Sequence, residues 1–233
     1  CIIMEIEKIS GLIDINLRRA LDKSPIIKEG VVRYSNGDTF CGNIIDGQME
    51  GWGTYRWANG DVYVGNFHMG LFHGFGRYDS QGNYYEGDFV NGMYHGKGIY
   101  IISNGNRYEG QFVKGKFSGE GVYYFNDGSR YVGDFQHGEL TGNAVIYYSS
   151  GSIYSGNVLR GTMHGYGTYA YPNGDRYSGA FVYGYFHGHG IFSWSSGEMY
   201  DGNWKNGNRD GHGFYIDSNG KKHLETWKNG VQI

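Results

Sequence analysis

The chain has 233 residues, 43 of them Gly and 23 Tyr, with only 2 Pro and 2 Cys. Gly at about 18% is far above the usual ~7%, and so little Pro excludes collagen and Pro-rich disorder, while an aromatic content of 18% requires rings to be buried somewhere. Lys and Arg number 20 against 23 Asp and Glu, a net charge of −3 that offers no electrostatic footprint for nucleic acid or anionic lipid.

Residues 1–25 read apart from the rest. Ile2, Ile6, Ile9, Ile13, Leu17 and Leu21 recur every three to four residues, which predicts an amphipathic helix, ended by Ser24-Pro25. It is expected to cap the first strand or fill a trough, with docking to another chain as the sharper reading. Glu5, Glu7, Lys8, Asp14, Arg18 and Arg19 mix signs on its polar face, which disfavours membrane insertion. No apolar run approaches a membrane span, and no signal peptide is apparent. Cys1 and Cys41 cannot form a disulfide framework, and no Asn-x-Ser/Thr sequon occurs. These features predict a reduced, soluble, intracellular chain, and a first residue other than Met reads as part of something longer.

Residues 26–233 repeat. Tyr63-Val-Gly65-Asn-Phe67 recurs as Tyr85-Glu-Gly87-Asp-Phe89, then from Tyr108, Tyr131, Tyr154, Tyr177 and Tyr200, with Phe40 opening the first copy. The spacing is 23 residues except for one step of 22, where Tyr78-Asp-Ser-Gln-Gly82 is one residue short. Each copy runs on through a Gly-x-Gly-x-aromatic stretch, such as Gly74-Phe-Gly76-Arg-Tyr78 or Gly119-Glu-Gly121-Val-Tyr123. Side chains two apart share a strand face. Asn59-Gly60, Asn104-Gly105, Asp127-Gly128, Asn173-Gly174 and Asn219-Gly220 predict type I′ hairpin turns between the strands. Repeated Gly in a strand needs a reason. The reading is that each Gly leaves bare backbone on which a ring lies flat, so Tyr63, Tyr85, Tyr108, Tyr131, Tyr154, Tyr177 and Tyr200 stack over glycines such as Gly65, Gly74, Gly76, Gly119 and Gly121, beside Phe67. The expected fold is all-β: an elongated, twisted, single-layer antiparallel meander of about nine hairpins, near 18 strands and roughly 85 Å long.

This pattern resembles the MORN repeat over roughly residues 28–230, with eight full copies and partial ones at both ends. Ala144 in place of the second Gly of a pair and Val158 in place of an aromatic are departures. The resemblance implies cytoskeletal settings such as ciliary axonemes and cortical membrane junctions. It also implies arrays that regulate lipid-kinase, methyltransferase or exchange-factor domains, and phosphoinositide binding. Scattered Lys97, Lys114, Lys116, Lys205, Lys221 and Lys222 give the lipid reading little support.

Catalytic chemistry finds no footing in the residues. A dinucleotide loop needs a third Gly where this chain has Arg56, Asp79, Ile101, Tyr124, Ala170, Ser193 or Ile216. Gly110 to Gly115-Lys116 imitates a P-loop but continues with Phe117. His73, His95, His164 and His187 precede the Gly-x-Gly stretch, with equivalents ~9.6 Å apart, too far to share a metal. No Ser sits in a nucleophile elbow, and Asp61, Asp88, Asp134, Asp175 and Asp201 follow the repeat, solvating the outer face or bonding turn amides. No enzyme, metal site or cofactor is expected.

One row lies beyond the repeat's own needs: Trp57, Ile102, Phe125, Tyr148, Tyr171 and Trp194. A continuous apolar strip on a single-layer sheet predicts a trough for a helix or extended segment of a partner protein. The function expected is a non-enzymatic scaffold in a cytoskeletal or axonemal assembly, with homodimerisation through that face or an open strand edge as a further expectation.

Overall fold

The computed structural model describes residues 30–233, so the helix expected over residues 1–25 lies outside the described part. Two compact units make up that part, residues 30–103 and 104–233. The first holds β1 (Val31–Arg33), β2 (Thr39–Ile45), β3 (Gln48–Arg56), β4 (Val62–His68), β5 (Leu71–Ser80), β6 (Asn83–Val90) and β7 (Met93–Ile101). The second holds β8 (Arg107–Val113), β9 (Lys116–Tyr124), β10 (Arg130–Gln136), β11 (Glu139–Tyr147), β12 (Ile153–Leu159), β13 (Thr162–Ala170) and β14 (Arg176–Val182). It continues with β15 (Tyr185–Ser193), β16 (Met199–Lys205), β17 (Asn208–Ile216), β18 (Lys222–Lys228) and β19 (Val231–Gln232). Within each unit, consecutive strands pair antiparallel in an open meander. The described residues contain no helix.

The core is built one tyrosine at a time. Tyr108 is 0% exposed. Its ring lies back along β8 over Gly110 and over Gly121, the residue paired with Gly110 on β9. A Cβ on Gly121 would sit 2.7 Å from the ring's Cε2 and Cζ. The hydroxyl donates to the Gln111 carbonyl at 3.1 Å, so the buried polar end is satisfied. Tyr63, Tyr85, Tyr154 and Tyr177 repeat this, donating to the carbonyls of Asn66, Asp88, Asn157 and Ala180 at 2.8, 2.8, 2.5 and 2.9 Å.

The ring's other face is covered by the partner strand. Phe72 stacks on Tyr63 at 3.8 Å, Tyr94 on Tyr85 at 3.9 Å, Phe117 on Tyr108 at 3.9 Å and Phe186 on Tyr177 at 3.7 Å. Ring edges meet the Phe of the same repeat and of the next, as Tyr63 does with Phe67 and Phe89, both at 5.1 Å. Burying each such ring contributes roughly 2–3 kcal/mol. Glycine backbone, tyrosine and covering ring thus form a core on one sheet.

The two glycines of each pair differ in role. Gly65, Gly76, Gly110 and Gly121 are seats. Gly74 and Gly119 are not: they lie in a bulge where three residues face one and adopt φ of 64° and 57°, a region glycine enters without cost. Their missing side chains clear Asn66 and Gln111 rather than a ring.

Tyr131 also departs from the expected set. On β11 the seat is Ala144, and Leu140 stands where other repeats place the covering ring. A Cβ on Gly133 would meet Ala144 Cβ and Leu140 Cδ1, both at 3.1 Å, so the seat is already filled. Tyr131 turns away, half-buried, against Phe125 at 4.7 Å. In the last full repeat, Arg209 replaces the covering ring and lies 4.4 Å from the Tyr200 centroid.

The turns reverse the expected chemistry. Type I′ geometry occurs at the other edge, at Asp46-Gly47, Met69-Gly70, Asn91-Gly92, Lys114-Gly115, His137-Gly138, Arg160-Gly161, Tyr183-Gly184 and Asn206-Gly207, with positive φ at both residues. At Asn59-Gly60 and Asn173-Gly174 only the Gly has positive φ. Gly60 N–H donates to Trp57 O, and Trp57 N–H to Asp61 O, at 3.0 Å each, a three-residue turn with a glycine bulge. The 22-residue step explains itself here: Gln81 and Gly82 take φ of 50° and 82°, so the lost residue shortens that turn to type I′. Both edges are laced between successive turns. Asp38 Oδ1 accepts Ala58 N–H at 2.9 Å and Asp175 Oδ1 accepts Ser195 N–H at 2.8 Å. At the opposite edge Gly70 N–H donates to Met49 O at 3.0 Å.

Three outcomes follow from this packing. Gly121→Ala should cost about 3 kcal/mol or more in urea unfolding, because a seated ring must move; Gly115→Ala, with open space around it, should cost about 1 kcal/mol for its positive φ. Ala144→Gly combined with Leu140→Phe should return the Tyr131 ring to a seat over Gly133, as a crystal structure would show. Burial pushes the Tyr108, Tyr154 and Tyr177 hydroxyls up to about 12. The unfolded chain then loses those protons near pH 10 while the folded chain keeps them, so stability should hold below pH 10 and fall between about pH 10 and 12. Urea midpoints across that range will read it, with a smaller fall in Tyr108→Phe.

Candidate partner-binding face

Above the sealed tyrosines lies a second tier of rings. Trp57, Phe125, Tyr148, Tyr171 and Trp194 each open a three-residue turn, and each donates its N–H across it. These five and Ile102 are half-buried. Trp57 stands 5.9 Å from Phe72 and 5.4 Å from Tyr78, which places it on the ring-bearing side. In the second unit Phe125 lies 4.7 Å from Tyr123, Tyr148 5.7 Å from Tyr169, Tyr171 6.0 Å from Phe192 and Trp194 6.2 Å from Tyr215.

The expected continuous strip is not what the first unit shows. The equivalent of Trp57 in the next repeat is Ser80, at the shortened turn, so Trp57 and Ile102 are separated. The unbroken run is Phe125, Tyr148, Tyr171 and Trp194, all in the second unit. Beside it opens a cleft of about 280 Å³ lined by Met163, Tyr169, Tyr171, Gly184, Tyr185, Phe186 and Gly207. Met163 takes the covering-ring position there, and an unbranched thioether fills less of that space than a ring.

Sequence reasoning passed over the covering row of Phe72 and Tyr94 in the first unit, and of Phe117, Leu140, Met163, Phe186 and Arg209 in the second. A signal was present, since these positions recur at the repeat's own period. It also passed over Tyr166, Tyr183 and Tyr185, which are 72%, 69% and 59% exposed.

The charges of the second unit are sorted by edge. The three-residue turns beside the aromatic tier carry Asp127, Asp175, Glu198 and Asp217 against Lys221. The type I′ turns and their flanking residues carry Lys114, Lys116, Arg160, Lys205 and Lys228 against Glu139. The Ser195 N–H holds Asp175 below the ordinary carboxylate range, and backbone donation from Lys221 does the same for Asp217. Among the described residues no group of three or more His, Cys, Asp or Glu could hold a metal. His73, His164 and His187 sit in the bulges with Nδ1 unpaired. The P-loop imitation is an ordinary hairpin, with Gly110 a ring seat and Gly115 a turn residue. Asp61 accepts from the Tyr78 hydroxyl at 3.1 Å, while Asp201 pairs with His189 at 2.8 Å. No helix among the described residues is long and apolar enough to cross a membrane.

Similar solved structures include the SAS-4 (dCPAP) TCP domain in complex with a proline-rich motif of Ana2 (dSTIL) of Drosophila melanogaster. It is 10% identical, with 88% of this chain and 94% of that chain covered and a TM-score of 0.39. The G-box domain of the microcephaly protein CPAP is 14% identical, with 86% and 99% covered and a TM-score of 0.36. A streptogramin B lyase reaches 10% identity, 88% and 71% coverage and a TM-score of 0.17. Scores this low settle neither fold nor function. No curated protein matches the chain. The family model described as the MORN repeat matches residues 40–62, 63–83, 85–107, 108–130, 131–153, 154–176, 177–199 and 200–222. These eight consecutive matches run over the glycine seats and stacked tyrosines, and the chain belongs to the MORN repeat family.

Proposed function

We propose that this chain is a non-catalytic scaffold whose second unit holds a segment of another protein on its ring-bearing face. The observation that carries this reading is the run Phe125, Tyr148, Tyr171 and Trp194. These rings are half-buried, rigidly placed by turn hydrogen bonds, and lie above a core that is already complete without them. Aromatic anchors of this kind dominate binding energy at protein interfaces. Carboxylates that would otherwise suggest catalysis have structural uses: Asp61 and Asp175 bond within and between turns. Family context directs the search for the partner to cytoskeletal and axonemal assemblies, and self-association is the competing use of the same face.

The test is affinity capture from cell extract with the chain and with Phe125→Ser/Tyr148→Ser/Tyr171→Ser, after circular dichroism shows the sheet retained. Specific partners should fall at least about tenfold in the variant. An unchanged set of captured proteins would remove the face from consideration.

A further inference from the structure

The partner's chemical class can be read from three observations on the second unit, resting on the proposal that this face binds protein. The first is spacing. Phe125, Tyr148, Tyr171 and Trp194 stand two strands apart, about 9.6 Å per step at ~4.8 Å per strand. A polyproline II helix advances about 9.3 Å per turn of three residues and presents the same face each time. Two α-helical turns advance about 10.8 Å. In a β-strand the third residue points to the opposite side.

The second is charge. The turns bordering this tier carry Asp127, Asp175, Glu198 and Asp217 against Lys221, and the opposite edge is cationic. A segment lying along the tier therefore meets an acidic rim. The third is an internal precedent. The chain's own Arg209 sets its guanidinium 5.1 Å from the Trp194 ring centroid, 4.4 Å from that of Tyr200 and 4.6 Å from that of Trp227. Arginine on an aromatic face is a favourable contact, and Trp194, at the end of this tier, already borders one from the covering row beneath.

We infer that the occupant is an arginine-bearing polyproline II segment, with prolines against Tyr148 and Tyr171 and guanidinium groups reaching the rim at Asp175 and Glu198. Such a segment is already extended in solution, so it loses little entropy on docking.

The experiment uses the full chain and a fluorescent peptide of about twelve residues repeating Pro-Arg-Pro, four turns of polyproline II. Two peptides of equal length serve as comparisons: one repeating Pro-Glu-Pro, and one amphipathic helix of Ala, Leu and Arg with the same number of arginines. The arginine-proline peptide should bind at least about tenfold more tightly than either. It should weaken about tenfold with Tyr148→Ser/Tyr171→Ser. A similar loss is expected with Asp175→Asn/Glu198→Gln, in which the amide introduced by the first substitution keeps an oxygen to accept Ser195 N–H. Tighter binding of the helical peptide, or binding indifferent to both variants, overturns the inference. So does absence of peptide binding while the triple variant of the capture experiment still loses its partners; in that case the scaffold reading stands. Absence of peptide binding together with an unchanged set of captured proteins overturns both.

Discussion

Everything in this sheet depends on a tyrosine ring lying flat on two glycines. The contact is possible only because neither glycine has a Cβ: on Gly121 that atom would fall 2.7 Å from ring carbons of Tyr108. Two further contacts complete it, a hydroxyl that reaches its own strand's carbonyl and an aromatic lid from the neighbouring strand. Protein interiors reach close packing by interdigitating side chains from two layers. Here the backbone itself supplies one of the two surfaces, and among the described residues no second sheet or helix takes part.

Because the sealed tier lies against the sheet, the tier above it can be chosen for other purposes. Its residues change character freely along the chain: Trp57, then Ser80, then Ile102, and in the second unit Phe125, Tyr148, Tyr171 and Trp194. The seats vary much less. Separation of charge between the edges follows the same logic, since turn residues are free of the core and are constrained chiefly by φ.

Much of this is legible in the residues alone. Spacing by two within Tyr63-Gly65-Phe67 and Gly74-Gly76-Tyr78 places the strands, and the 23-residue period makes the seated rings recognisable. The turns mislead for a definite reason. Asn-Gly suggests type I′, but strand register puts an extra residue at that edge, and Asn59 keeps negative φ while its side chain bonds Asp61. Register is a property of two strands and is invisible in a dipeptide. Tyr131 misleads because the consequence of Ala144 depends on Leu140, four positions away and across a bulge from the seat. The covering row escapes notice because Phe, Tyr, Leu, Met and Arg share that position, and only the geometry shows what they have in common.

The shortened turn at Gln81-Gly82 shows where such a chain can change length. One residue has gone, yet Tyr78 and Tyr85 still face each other and Gly76 still faces Gly87. The deficit is absorbed entirely at the hairpin tip, by exchanging one loop geometry for another. Removing a residue from within a strand would instead turn every later side chain to the wrong side of the pleat. Insertions and deletions are therefore admissible at the tips and ruinous one pleat away, which makes the edges the place where lineages of this architecture can drift in size while the face between them stays in phase.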